Sequence, residues 1–225
     1  MAICTVAIDG PAGAGKSTIA RAAAKKFGFI YVDTGAIYRT VGLAASRAGV
    51  SGKDAAAVEA LLPGLSVRFD YGEDGTQRMF LNDEDVSGLI RTPEISAYAS
   101  QVSQIPAVRA FLLDMQREMA RTQSVVMDGR DIGTVVLPDA GLKIFLTASA
   151  EARAKRRLLE LQEKDPNADF DTVLRDIIAR DEADMNRETA PLKQAPDAVL
   201  VDTTELTLEQ SIAVLCDRIA QRYGL

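Results

Sequence analysis

A phosphate-binding motif lies near the start of the sequence. Residues 10–18 read GPAGAGKST and fit the pattern G-x-x-x-x-G-K-[ST] through Gly10, Gly15, Lys16 and Ser17. Glycines let successive backbone N–H groups turn inward around a phosphate chain, the lysine can reach the β- and γ-phosphates, and the serine hydroxyl can hold Mg²⁺. The segment therefore predicts a nucleotide phosphate site, with these contact residues: Gly10, Pro11, Ala12, Gly13, Ala14, Gly15, Lys16, Ser17 and Thr18.

The segments on either side of this motif support that interpretation. The apolar run Ile3–Ile8 is typical of a short buried strand, and apolar residues recur at helical spacing from Ile19 to Phe27. Gly28 then stands where a helix commonly ends. A strand, a glycine-rich loop and a helix N-terminus in this order form an anion site.

Two further polar segments follow predicted strands. DTGAIYR places Thr34 and Arg39 just after one strand, where Asp33 or Thr34 is expected to cap a helix. DGRDIGT places Arg130 between Asp128 and Asp131, and such charge density at a strand end requires partners, a metal or a ligand. The alternative for the first segment is a helix cap beside a surface arginine.

Two arginine clusters lie on predicted helices. Cations at a helix N-terminus oppose the helix dipole, so the first cluster favours an anionic partner, although a solvated basic face is the alternative. In the second cluster a carboxylate stands between two guanidiniums at helical spacing, and the alternative is a surface salt-bridge ladder. The first cluster is Arg153, Arg156 and Arg157, and the second is Arg180, Asp184 and Arg187.

The composition excludes several classes of protein. The 225 residues contain no histidine, which removes His-based triads, His metal sites and His general bases. The net charge of −6 argues against a nucleic-acid polymer as partner, and 18 of the 26 basic residues are arginine, which suits recognition of a small phosphorylated ligand. No apolar run is long enough to span a membrane, we expect no targeting segment, and the isolated Cys4 and Cys216 are expected to be buried thiols in a cytoplasmic protein.

Alternating apolar strands and helical patterns predict an α/β fold. Strands expected at 29–32, 124–127, 142–147 and 198–201 join the first strand in a five-stranded parallel sheet with helices on both faces, a three-layer α/β/α core. Their carboxyl ends, and the polar segments after them, should share one edge of the sheet. Residues 65–89 alternate around GEDG and predict an antiparallel hairpin, followed by helices at 93–104 and 106–122. We expect a core of residues 1–60 and 123–225 with an α+β insert at 61–122.

The sequence resembles the bacterial cytidylate kinases, nucleoside-monophosphate kinases of the P-loop class. The resemblance runs from Val6 to about Thr204. Its specific motifs, in this order, are DTGAIYR, LNDEDVSGLIRT, ASQVSQIPAVR, DGRDIGTVVLPDAGLKIFLTAS and RDEADMNRETAPL. The IDGPAGAGKST motif is shared by many nucleotide-binding proteins. Relatives often carry serine where this sequence has Thr34, which keeps the hydroxyl.

The resemblance implies a role for each candidate residue. Lys16 and Ser17 would serve ATP and Mg²⁺, with Arg153 as a further ATP contact, and a short lid at about residues 150–170 would carry Arg156 and Arg157 to the transferring phosphoryl group. Lys16, Arg130, Asp131, Arg156 and Arg157 are then the predicted catalytic residues. The resemblance also implies these CMP contacts: Thr34, Arg39 and Arg130 with the acceptor phosphate on the two arginines, Ser100, Arg109 and Asp131 at the cytosine, Arg180 and Asp184 at the ribose, and Arg187 near the base or phosphates.

The predicted activity is the Mg²⁺-dependent, in-line transfer of the ATP γ-phosphoryl group to CMP or dCMP by a monomeric enzyme. The acceptor phosphate is already an anion, so no strong general base is needed. Two alternatives are a kinase for another small molecule, such as another monophosphate or shikimate, and a guanine-nucleotide switch. The switch requires an N-K-x-D tetrapeptide, which the sequence lacks.

Overall fold

The computed structural model describes residues 3–73, 75–163 and 165–225. It divides into two compact units: Met1–Tyr31 with Gln123–Leu225 forms the first, and Val32–Thr122 forms the second. None of the described helices is both long enough and apolar enough to cross a lipid bilayer.

The described residues form eight strands and eight α-helices. The strands are β1 (Thr5–Asp9), β2 (Ile30–Asp33), β3 (Val67–Tyr71), β4 (Gln77–Leu81), β5 (Glu84–Asp85), β6 (Val125–Gly129), β7 (Leu142–Thr147) and β8 (Val199–Asp202). The helices are α1 (Lys16–Phe27), α2 (Thr34–Arg47), α3 (Ala55–Leu61), α4 (Pro93–Val102), α5 (Pro106–Thr122), α6 (Ala150–Gln162), α7 (Phe170–Asn186) and α8 (Leu208–Tyr223).

The main sheet has five strands in the order β2-β6-β1-β7-β8, and the central strand β1 pairs in parallel with both β6 and β7. This confirms the predicted parallel sheet. Val6 and Ile8 of β1 are fully buried and pack in one apolar core with Ile19 of α1 and Leu215 of α8. Since parallel strands end at a common edge, β1 and β6 deliver their following loops to neighbouring positions.

The phosphate-binding loop lies between β1 and α1. Helix α1 begins at Lys16 and ends before Gly28, whose φ of 67° is the left-handed conformation expected of a terminating glycine. Gly10 has φ 152°, and a Cβ atom built on it would collide with the Leu146 carbonyl oxygen of β7. Only glycine fits there.

The second unit contains the predicted hairpin. Strands β3 and β4 pair antiparallel, with Val67 opposite Leu81 and Tyr71 opposite Gln77, and the short β5 adds a third strand. The GEDG turn includes Asp74, which lies outside the described residues. Helix α5 begins at Pro106, as the sequence indicated, because the first helical position needs no N–H donor.

Helices α6 and α7 share a small apolar core of their own, made of Ala154, Val173 and Ile177. The residue range of the predicted lid, 150–170, includes α6 and the first residue of α7, and Lys164 within it lies outside the described residues. Helix α7 begins after Asp169, whose side chain accepts hydrogen bonds from the Thr172 N–H and hydroxyl.

Candidate active site

The phosphate-binding loop ends in a buried lysine. The Lys16 ammonium donates hydrogen bonds of 2.7 Å to the carbonyl oxygens of Gly10 and Pro11. Burial lowers its pKa, and the nearby Arg130 guanidinium lowers it further, while Asp128 and Asp9 oppose these effects. Lys16 and the Arg130 segment, which follow different strands, are therefore close enough to interact electrostatically.

A carboxylate at the end of β6 contacts the first turn of α1. Asp128 is buried and accepts a hydrogen bond of 2.9 Å from the Ser17 hydroxyl and one of 3.0 Å from the Tyr31 hydroxyl. Of the two aspartates in the DGRD segment, Asp128 is therefore the one beside the predicted metal ligand. Nothing in the sequence around Tyr31 marked it as a partner of this carboxylate.

Arg130 is held by helix α7. Its Nε–H donates to Asp184 at 2.7 Å, and the two side chains are only 20% and 8% exposed. Burial works to raise the pKa of Asp184, but Arg130, Arg180 and Arg187 together lower the pKa below its ordinary value. Asp184 is thus ionised at neutral pH and orients Arg130.

Asp131 faces a different arginine. Arg187 donates to Asp131 at 3.4 Å and to the Ala190 carbonyl oxygen at 2.6 Å, and the side chains of Arg187 and Asp131 are almost completely buried. Helix α7 ends at Asn186, so Arg187 stands just beyond it in an extended conformation. Of the residues predicted to form one helical row, Arg180 and Asp184 therefore lie on α7, whereas Arg187 belongs to the segment after the helix.

The three arginines of α6 differ in their surroundings. Arg153 is buried and makes a two-fold ion pair with Asp181 of α7, at 3.0 and 2.6 Å, and it also donates to the Ala12 carbonyl oxygen of the phosphate-binding loop. Arg156 donates to the Thr203 carbonyl oxygen at 2.5 Å. Arg157 pairs with Glu160 at 2.7 Å on the exposed side of the same helix. The anionic partner of Arg153 within the chain is thus Asp181, a residue that sequence reasoning missed.

The candidate residues of the second unit lie on α2, α4 and α5. Asp33 caps α2 through one oxygen, which accepts the Ala36 N–H at 2.9 Å, and its other oxygen accepts from Arg39 at 2.8 Å. Among the described residues, no hydrogen-bond acceptor reaches the buried Nε–H of Arg39. Thr34, the first residue of α2, is buried.

The other two candidates of this unit surround the end of α4. Arg109 is buried, donates to the Ser103 carbonyl oxygen at 3.3 Å and lies 5.7 Å from the centre of the Tyr38 ring. Ser100 is partly exposed, and its carbonyl oxygen accepts from Ser103 and Gln104.

Asp9 is another residue that sequence reasoning missed. It is the last residue of β1, and its two carboxylate oxygens accept the backbone N–H groups of Ile132 and Gly133 at 2.7 and 2.8 Å. The sequence contained one signal for it, because a carboxylate at the end of an otherwise apolar buried strand requires donors. Which donors satisfy it depends on tertiary structure.

Comparison with known proteins gives a consistent result. A family model described as cytidylate kinase matches residues 6–221. A cytidylate kinase from Syntrophotalea carbinolica is 48% identical over 217 residues, covering 96% of this chain and 92% of the relative. One from Caldicellulosiruptor bescii is 51% identical over 205 residues, covering 91% and 90%.

Solved structures show the same fold at much lower sequence similarity. A shikimate kinase from Bacteroides thetaiotaomicron has a TM-score of 0.50 and 16% identity, and each chain is covered completely. An uncharacterised protein from Eubacterium ventriosum has a TM-score of 0.52 and 13% identity, with 98% and 99% coverage. These likenesses concern the fold alone.

Proposed function

The chain belongs to the cytidylate kinase family, and from that premise we propose how its residues transfer the γ-phosphoryl group of ATP to CMP or dCMP. The family consists of phosphotransferases with nucleotide substrates, as the sequence motifs indicated. One observation supports the assignment most strongly: Asp128, two residues before Arg130 at the end of β6, accepts a hydrogen bond of 2.9 Å from the hydroxyl of Ser17, the residue after Lys16, so the two charged segments meet. Phosphoryl transfer requires such gathered charge rather than covalent catalysis.

ATP is assigned to the phosphate-binding loop. The backbone N–H groups of residues 10–15 surround the phosphates, and Lys16 exchanges its loop carbonyl partners for phosphate oxygens. Arg153, which is bonded to the Ala12 carbonyl, supports this loop from α6. Arg156 and Arg157 are assigned to the transferring phosphoryl group on the basis of the family resemblance, together with the role of residues 150–170 as a lid.

The Ser17 hydroxyl and the Asp128 carboxylate fit Mg²⁺. Their oxygen atoms lie 2.9 Å apart beside the first turn of α1. Mg²⁺ needs only one or two protein ligands, since water and phosphate oxygens supply the rest. The described residues contain no cluster of three or more acidic, histidine or cysteine side chains that would form a cage for a metal. A bound Mg²⁺ would neutralise charge on the phosphates.

On the basis of the family resemblance, the acceptor phosphate is assigned to Arg130 and Arg39. Arg130 presents its remaining N–H groups while Asp184 holds its Nε–H, and the buried, unsatisfied Nε–H of Arg39 is suited to an anionic oxygen. Because the acceptor is itself a phosphate, the absence of histidine from the sequence presents no difficulty.

Recognition of cytosine is assigned chiefly to Asp131. Its carboxylate accepts from the exocyclic amino group of cytosine, whereas uracil presents a carbonyl oxygen at the same position. Such a mismatch costs about 1–3 kcal/mol, so CMP and dCMP are preferred over UMP. The other CMP assignments follow the family motifs: Ser100 and Arg109 at the base, Arg187 near the base or phosphates, Arg180 and Asp184 at the ribose, and Thr34 as a further contact.

The first test is ADP formation with ATP, Mg²⁺ and one of CMP, dCMP, UMP, AMP or no acceptor. ADP should form rapidly with CMP and dCMP, slowly with UMP, and hardly at all without an acceptor. Rapid ADP formation without an acceptor, or a preference for AMP, would contradict the assignment. We also infer a cytoplasmic monomer, to be tested by cell fractionation and by light scattering.

The second test replaces the proposed base-reading carboxylate. Asp131→Ala should lower kcat/KM about 10- to 100-fold for CMP and much less for UMP. Asp139→Ala, which removes an exposed aspartate from the connection between β6 and β7, is the matched control and should leave both substrates unaffected. Equal losses for CMP and UMP in Asp131→Ala would refute its role in recognising the base.

A further inference from the structure

Asp9 makes two contacts that the proposed catalytic steps do not use. It lies between β1 and Gly10, is 4% exposed, and directs both carboxylate oxygens at backbone N–H groups of the segment that follows β6. Hydrogen bonds to a buried, ionised carboxylate are stronger than those between neutral groups. The segment that receives them is therefore firmly fixed to the end of β1.

That segment is a five-residue π-helical turn, Ile132–Val136. Asp131 occupies the position before the turn, where an aspartate side chain normally accepts the first N–H groups of a helix. The Asp131 side chain makes no capping hydrogen bond at this position. Its carboxylate instead contacts Arg187 at 3.4 Å, and the donors at Ile132 and Gly133 bond to Asp9.

The packing around Gly133 shows how tightly the turn fits. A Cβ atom built on Gly133 would lie 3.3 Å from the Asp9 carboxylate and 3.2 Å from the Lys143 side chain. Lys143 is itself held by Asp197 at 2.8 Å. The turn therefore has little room to move toward β1.

We propose that Asp9 is a positioning residue for substrate recognition, because it caps the turn at Ile132 in place of Asp131 and leaves the Asp131 carboxylate to Arg187 and the cytosine. The inference rests on the proposed role of Asp131 in reading the base. Asp9 also precedes Gly10, so one side chain relates the start of the phosphate-binding loop to the chain that carries Arg130 and Asp131.

The test is the variant Asp9→Asn. An amide keeps the size of the side chain but offers only one acceptor oxygen, so one of the two N–H groups meets an NH₂ group. We expect kcat/KM for CMP to fall about 10- to 100-fold, the range for a small misplacement of a binding group. The preference for CMP over UMP should narrow, while KM for ATP changes less than about 3-fold.

Gly133→Ala is a second variant that leaves Asp9 unchanged. The added methyl group presses the turn away from the Asp9 carboxylate. Gly133→Ala should therefore lower the ratio of kcat/KM for CMP to that for UMP, as Asp9→Asn does. If neither variant changes the ratio of CMP to UMP efficiency, the inference is wrong.

Tyr223→Phe is the control for a general loss of stability. The Tyr223 hydroxyl bonds to both the N–H and the carbonyl oxygen of Thr5, at the opposite end of β1. Its removal should lower the melting temperature without changing the CMP preference. If Asp9→Asn behaves in the same way as Tyr223→Phe, Asp9 is only structural.

The Asp131→Ala variant separates this inference from the proposed function. If Asp131→Ala abolishes the CMP preference and Asp9→Asn retains it, only the role of Asp9 falls. If Asp131→Ala itself retains the preference, the assignment of base recognition falls, and with it the reason for the role of Asp9.

Discussion

Removing the carboxylate of Asp181 should destabilise the protein by about 2–3 kcal/mol, because it leaves the buried Arg153 guanidinium without its counter-ion. The Arg153 and Asp181 side chains are 5% and 13% exposed and are joined by two hydrogen bonds. Loss of one partner from such a buried pair costs about 3–5 kcal/mol. The expected loss lies at or below the bottom of that range because Arg153 keeps the carbonyl oxygens of Ala148 and Ala12 as acceptors.

The assay for Asp181→Ala is urea unfolding followed by far-UV circular dichroism, since the chain has no tryptophan for fluorescence. In a thermal scan, a loss of about 2–3 kcal/mol lowers the melting temperature by about 5–10 °C for a chain of this size. The KM for ATP should also rise, because Arg153 supports the phosphate-binding loop through Ala12. A double-mutant cycle with Arg153→Met should give a coupling energy of about 2 kcal/mol.

Glu160→Ala is the matched control for this experiment. It breaks the ion pair with Arg157 on the same helix, but these side chains are 65% and 47% exposed, so the loss should stay below about 0.5 kcal/mol. If Asp181→Ala and Glu160→Ala cost the same, or if the coupling energy between Asp181 and Arg153 is near zero, the argument from burial is refuted.

Three further predictions concern the loop and its surroundings. Burial raises the pKa of Asp9 to about 6. The nearby Asp131 carboxylate also raises this pKa, whereas the N–H groups of Gly133 and Ile132 and the Lys16 ammonium lower it. The folded protein thus holds this proton more tightly than the unfolded chain, and stability falls as pH rises from about 4 to 6. In urea titrations, the free energy of unfolding of the wild type, measured relative to that of Asp9→Asn, should drop by about 3 kcal/mol between pH 4 and 7. If the difference between the two proteins stays constant over this range, the raised pKa of Asp9 is contradicted. Asp128→Asn should raise the Mg²⁺ concentration for half-maximal activity about 10-fold or more, measured with ATP saturating, and an unchanged Mg²⁺ requirement would exclude it from the metal site. Gly10→Ala should abolish ATP binding or folding in calorimetry, whereas Gly28→Ala, also at positive φ but in open space, should cost only about 1–2 kcal/mol.

The sequence allowed the fold to be predicted where local chemistry decides it. The parallel strands were recognisable because each is a short apolar run followed by polar residues, and β7 was predicted with the observed bounds, Leu142–Thr147. Helix α5 begins at Pro106 for a purely local reason. The hairpin of β3 and β4 followed from alternation around a glycine-containing turn.

The partners of the charged residues could not be predicted in the same way. Arg130 and Asp184 are 54 positions apart, and Asp9 and Ile132 are 123 apart. Such pairs form only when β1, β6 and α7 are packed together, and no local spacing encodes them. The π-helical turn at Ile132–Val136 could not be predicted either, because the carboxylate that accepts its first N–H groups comes from another strand.

Several of the arginines assigned to the substrates are already paired with carboxylates within the protein. Gathered guanidiniums would repel one another and lose hydration on burial, so uncompensated arginines would oppose folding. In each unit, aspartates supply the compensation and fix the direction of the guanidinium, so a phosphate meets donors that are already oriented. This explains how a chain of net charge −6 can bind small phosphorylated substrates, since its positive charge is concentrated in paired clusters and is not spread over the surface. The pairs are Arg130–Asp184, Arg153–Asp181 and Arg187–Asp131 in the first unit and Arg39–Asp33 in the second.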